Sequence, residues 1–139
     1  MKRAVAVVGL VALAAGVAGC APSDEQSVTC VSWATYASDE DRLEAADLVV
    51  EVESVRPDGT SAVYGYPANA YLVSGLTVIK GDLTDGSELR VASTADNCAS
   101  PVYAEGDPML QDAPLRLYLS FDHGQWITLS PFDGVRPAS

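Results

Sequence analysis

The chain has 139 residues, 48% of them hydrophobic, with nineteen acidic against eight basic residues and a net charge of −11. That length fits one compact domain and leaves little room for two. The charge excludes nucleic acid as a partner, because a phosphate backbone is gripped by clustered Lys and Arg that this chain does not have.

Met1, Lys2 and Arg3 give a basic start, and residues 4–17 are small or apolar without a charge. A membrane-spanning helix needs about 20 such residues. This run stops sooner, at Val17-Ala18-Gly19-Cys20, so residues 1–19 are expected to be a signal peptide rather than a permanent span. Val17 to Cys20 resembles a bacterial lipobox, in which small residues fit the peptidase groove and the thiol receives a diacylglyceryl group; an ordinary secretory signal is the alternative. The resemblance implies lipidation of Cys20, a mature chain beginning there, and a lipid bilayer as partner at the extracytoplasmic face of the cell membrane. Two acyl chains suffice for stable anchoring. Removal of residues 1–19 leaves six basic and nineteen acidic residues on 120, a charge of −13. Residues 21–29, APSDEQSVT, have no apolar period. Residues 20–29 therefore read as the lipidated Cys and a flexible tether reaching about 30 Å when stretched.

With Cys20 acylated, only Cys30 and Cys98 remain, and export places both in an oxidising compartment where a disulfide is expected; two unpaired thiols are the alternative. Closing that loop is worth about 4 kcal/mol in the chain-entropy picture. His123 is the single histidine and no CxxC occurs, so neither a metal nor another cofactor is expected.

Ser38 followed by Asp39, Glu40 and Asp41 predicts a helix start, with a short helix over residues 39–46 and Leu43 and Ala46 turned inward. A calcium loop is the lesser reading, since the fixed oxygen ligands and central Gly are absent. Residues 48–55, LVVEVESV, alternate as a first strand, and Arg56-Pro57-Asp58-Gly59 predicts a turn. Residues 69–79 predict a second strand bent at Ser74-Gly75. Residues 88–93 predict a third, with Leu89 and Val91 inward. No convincing helix fits residues 94–114, where Cys98 supplies a tie and Val102, Tyr103, Met109 and Leu110 are expected to pack beneath the loop. Residues 115–121, LRLYLSF, predict a fourth strand with Leu115, Leu117, Leu119 and Phe121 inward and Tyr118 outward. Asp122-His123-Gly124 predicts a hairpin into a fifth strand over residues 125–129, and Pro131 to Gly134 is expected to end regular structure. The fold class expected is mainly β: a small five-stranded, OB-like closed barrel with a short N-terminal helix, over residues 30–137. An immunoglobulin-like sandwich is the runner-up.

Cys30, then Ala45-Ala46-Asp47-Leu48-Val49-Val50, Tyr71 to Val78 followed by Lys80-Gly81, Cys98, Leu115 to Ser120, Gly124-Gln125-Trp126 and Gly134-Val135 follow one another in an order that resembles the netrin-like, or tissue inhibitor of metalloproteinases type, OB-fold domain. The resemblance implies a disulfide role for Cys30 and Cys98. It does not bring the inhibitors' zinc chelation, which uses the free amine of an N-terminal cysteine, because Cys30 lies ten residues inside the expected mature terminus; the family's further disulfides are also missing.

Ser120 and His123 suggest a hydrolytic dyad, but positions this close along a strand end do not converge as nucleophile and base. The chain carries no phosphate-cradling loop, dinucleotide fingerprint or H-E-x-x-H. It is therefore not expected to be an enzyme. Asp58, Asp85 and Asp133, each before a glycine, are read as turn residues rather than acid catalysts. Trp33, Tyr36, Tyr64 and Tyr66 form the candidate binding surface, with burial as the competing reading. The expected function is a membrane-anchored, protein-interaction module, inhibitor-like toward an exported partner; the alternative is a binder of envelope glycan or another small ligand.

Overall fold

The computed structural model describes residues 29–84 and 86–138. The expected signal peptide, Cys20, the expected tether as far as residue 28 and Asp85 lie outside the described residues. Helix α1 (Asp39–Ala45) starts at Ser38, whose hydroxyl accepts from Asp41 N at 3.1 Å while the Asp41 carboxylate accepts from Ser38 N at 3.1 Å. This reciprocal cap satisfies two amides that the first turn leaves without partners. No helix among the described residues is long and apolar enough to cross a membrane.

Eight strands follow among the described residues: β1 (Leu48–Val52), β2 (Ser54–Val63), β3 (Tyr66–Ser74), β4 (Thr77–Lys80), β5 (Glu88–Ser93), β6 (Leu115–Asp122), β7 (Gln125–Thr128) and β8 (Val135–Pro137). The fold is mainly β, as its alternating pattern predicts. They join in one sheet of order β2-β3-β5-β7-β6-β1-β4, with β8 also on β6. The backbone pairing is open, with edges at β2 and β4, and is not the closed five-stranded barrel expected. The only parallel pair among the described residues is β5 with β7.

Three differences from expectation account for the extra strands. Arg56 to Gly59 does not turn the chain back; it lies inside β2, where the register with β3 jumps between Pro57 and Thr60 and Gly59 takes φ +75°. The turn chemistry is used as a bulge, held by Arg90, which donates to Asp58 Oδ2 at 2.7 Å and to the carbonyls of Asp58 and Thr60. The reversal comes later, at Tyr64-Gly65, both with positive φ. The second expected strand is two strands: Gly75, at φ +67°, sends β3 to β2 and β5, and β4 to β1. After Gly134, β8 forms where no regular structure is expected, pairing Val135 with Leu117.

The main core gathers Leu48, Val50 and Val52, Tyr71 and Val73, Val91, Met109, Leu115, Leu117 and Leu119, and Val135. Each such aliphatic side chain contributes about 2 kcal/mol by leaving water. Tyr118, expected outward, is buried with Ala46, Val49 and Leu129, because β6 is covered on both faces. Phe121, expected inward, is exposed and rests on Trp126 with ring centroids 4.9 Å apart. In α1 the inward residue is Arg42, and Leu43 is exposed. Lys80-Gly81 fixes the end of that helix to the sheet. The Lys80 ammonium donates to the carbonyls of Leu43, Glu44 and Ala46 at 2.8, 3.1 and 2.6 Å, groups the last turn leaves without amides. Gly81 sits at φ +89°, where an added Cβ would lie 2.5 Å from Asp47 O.

Candidate functional site

Cys30 and Cys98 form the expected disulfide, 68 residues apart. Asn97 reinforces it from both sides, accepting from Val31 N at 2.9 Å and donating to Thr29 O at 2.9 Å. Tyr66 hydroxyl also donates to Thr29 O, at 2.8 Å. Trp33 lies half-buried on Val63, Ala68, Ala92 and Ile127, its ring 5.8 Å from that of Tyr64, and its buried Nε1 has no hydrogen-bond partner among the described residues. Three residues of the expected aromatic surface thus cluster at the staple and hold the leading segment down. Of these, Tyr64 keeps about half its surface exposed, at 52%; burial, then the Asp122 charge, pushes its phenol up. Tyr36 belongs to a different region, its amide donating to Asp133 Oδ2 and its carbonyl accepting from Arg42.

Beyond Cys98, residues 94–114 are tied down a second time at Asp107. Its carboxylate, 8% exposed, accepts from Tyr71 hydroxyl at 2.6 Å, Asn69 Nδ2 at 2.8 Å, Ser93 hydroxyl at 2.7 Å and Met109 N at 3.0 Å. All four donors are neutral. The bond to Met109 N caps a 3-10 turn over Pro108–Leu110. Beside it, Tyr103 hydroxyl accepts from Asn69 N and donates to Ser93 O. Burial first, and then the bond to Asp107, holds the Tyr71 phenol well above its ordinary value; burial likewise raises Tyr103.

A second buried carboxylate anchors the segment before β8. Asp133 Oδ1 accepts from Arg42 Nη2 at 3.0 Å and Nε at 3.3 Å and from Arg136 Nη2 at 3.0 Å. Arg42 also pairs with Asp39 at 2.7 Å. Burial pulls the Arg42 guanidinium down, but hydrogen bonding and charge from Asp133 and then Asp39 outweigh it and keep it above its ordinary value. Asp133 is therefore more than the turn residue expected.

Between these two anchored segments opens a cleft of about 630 Å³, with Val102, Tyr103, Pro108 and Glu105 on one wall and Phe132 and Arg136 on the other. Phe132 and Val102 are exposed at 57% and 40%, and Leu110 beyond the cleft at 64%. Val102 and Leu110 thus do not pack beneath the loop as expected; Met109, at 1% exposure, does. Apolar side chains left in water around a rigid concavity suit the capture of an apolar group. Asp107-Pro108, a capping acid before a proline, was the one sequence signal for this anchorage. Phe132 gave none.

Ser120 and His123 do not meet. Ser120 hydroxyl donates to Asp47 Oδ2 at 3.1 Å, while His123 Nδ1 lies 2.7 Å from Asp122 Oδ2 in the exposed hairpin turn. Among the described residues no three His, Cys, Asp or Glu side chains are grouped to hold a metal ion. Comparison with protein-family models, curated proteins and solved structures returns no match for this chain.

Proposed function

We propose that the chain is an exported lipoprotein, fastened at Cys20 through a diacylglyceryl group to the extracytoplasmic face of the cell membrane, and that its folded domain binds an exported protein through the cleft between Val102 and Phe132. The observation carrying the binding reading is that apolar rim, held by a disulfide on one side and two buried carboxylates around it. A rigid frame loses little conformational entropy on binding, so exposed apolar area there converts efficiently to affinity.

Kinship with the netrin-like OB fold is supported by the connectivity. Only Glu53 separates β1 from β2. Taken as one bent strand, residues 48–63 pair at one end with β6 and at the other with β3, and the parallel β5–β7 pair lies between. Gln125 bridges the two halves on β7, accepting from Ser61 hydroxyl at 2.6 Å and donating to Ala62 O at 2.7 Å. A glycan-binding reading keeps one supporting observation, the exposed Tyr64 ring tilted against that of Trp33.

Intact-mass measurement of the protein purified from membranes, with and without reductant, checks lipid, cleavage point and disulfide together. For binding, a photo-crosslinking residue placed at Phe132 is expected to trap one exported protein in whole cells, and the same group at Tyr64 is not. Trapping from Tyr64 alone, or sugar-dependent labelling there, favours the glycan reading instead.

A further inference from the structure

The two edges of the sheet are treated differently. Strand β2 carries the safeguards of an edge that is kept unpaired: Pro57, a bulge, and charged Arg56 and Asp58. Strand β4 shares one of them, a register shift against β1 at Val49 and Val50, but it has no proline and no outward-turned charge. It pairs only with β1 among the described residues, and Val78 and Ile79 are exposed at 44% and 43%. Lysine is the usual guard of such an edge, yet the Lys80 ammonium is turned away to the three carbonyls at the end of α1.

The surroundings of this edge are acidic at both ends. At its start, a depression of about 380 Å³ is lined by Glu51, Glu53, Gly75 and Thr77. Glu51 Oε1 accepts from Arg116 at 2.7 Å, whereas Glu53 has no charged or hydrogen-bonding side-chain partner among the described residues. At its end stand Glu44 and Asp82, both exposed. We propose that β4 is a docking edge for an extended segment of a partner protein, one that carries alternating apolar residues flanked by Lys or Arg. The segment adds as a further strand beside Thr77–Lys80, a mode in which main-chain hydrogen bonds supply affinity and side-chain pockets supply specificity. Its flanking cation enters the depression beside Glu53. A second copy of this chain fits less well, because it would bring the same acids, and a second charge of −13, against the first.

This edge is separate from the cleft at Phe132, so the two proposals fail independently. The test uses the full chain, purified in detergent, and a fluorescent peptide of sequence Lys-Thr-Val-Thr-Val-Lys with blocked ends, followed by anisotropy. Saturable binding is expected. Ile79→Lys, which changes an exposed side chain, is expected to weaken it at least tenfold with the thermal midpoint unchanged, and Glu53→Gln several-fold with a shallower dependence on salt. N-methylation of alternate peptide amides on the pairing side is expected to abolish it, while Phe132→Ala leaves it intact. Absence of binding, equal binding of the peptide with Glu in place of both Lys, or insensitivity to both Ile79→Lys and N-methylation overturns the proposal. A dimer of the full chain that Ile79→Lys dissolves, without peptide binding, assigns the edge to a second copy and overturns it too.

Discussion

Asp107 and Asp133 are almost equally buried, at 8% and 7% exposure, and each fastens an irregular segment to the sheet. Their partners differ in kind. Asp107 is surrounded by four neutral donors, so its charge is spread through hydrogen bonds from Tyr71, Asn69, Ser93 and Met109. Asp133 is met by two guanidinium groups, one buried with it and one at the surface. Bonds to an ionised acceptor are stronger than neutral ones, and leaving buried donors without an acceptor costs their full desolvation. The first anchor therefore depends on every donor keeping its proton. The second depends on cations that keep theirs at any accessible pH, and it is partly shared with Asp39, which also pairs with Arg42.

The largest expected effect is for Asp107→Ala, which strands three buried donors and one part-buried donor and is expected to lower stability by on the order of 4 kcal/mol. Asp133→Ala is expected to cost somewhat less, about 3 kcal/mol, because Arg42 retains Asp39. Urea midpoints at unchanged m-value measure both, and a reversed order breaks the contrast. Next comes alkaline pH. The Tyr71 phenol is held above its ordinary value of 10 in the folded protein, so the folded state keeps a proton that the unfolded chain gives up. That contribution is intact below about pH 10 and is lost as pH rises further. Tyr71→Phe is expected to cost about 1.5 kcal/mol at neutral pH and to flatten the alkaline loss, whereas Asp133→Ala leaves its slope unchanged. Equal slopes in all three proteins would show that the two anchors do not differ in this way. The smallest effect is for Arg136→Ala, whose side chain is 38% exposed and whose loss is expected to cost about 0.5 kcal/mol, shrinking further in salt.

Some features were legible in the sequence because they rest on local chemistry. Ser38 with Asp41 three residues on marks a helix start wherever it occurs. The alternation at Glu88 to Ser93 and Leu115 to Leu119 gave those strands and their inward leucines and valines. Cys30 and Cys98 pair as counting predicts once Cys20 is set aside. The same local logic failed where one signal has two uses. Arg56-Pro57-Asp58-Gly59 has turn chemistry, but whether it reverses the chain or bulges a strand depends on whether β3 continues alongside. Period-two reading placed Tyr118 outward because it assumes one wet face, and β6 has none there.

The sequence by itself determined the helix cap, most of the strand cores, the sulfur pairing and the acidic surface, since each follows from neighbours along the chain or from composition. Only the tertiary structure decided that Arg42 rather than Leu43 turns inward, that Asp107 and Asp133 become anchors, that residues 69–79 divide between two places in the sheet, and that Val78 and Ile79 are left exposed on the edge strand β4. Those outcomes depend on partners 14 to 97 residues away, and a side chain's environment is set by whichever distant segment arrives beside it.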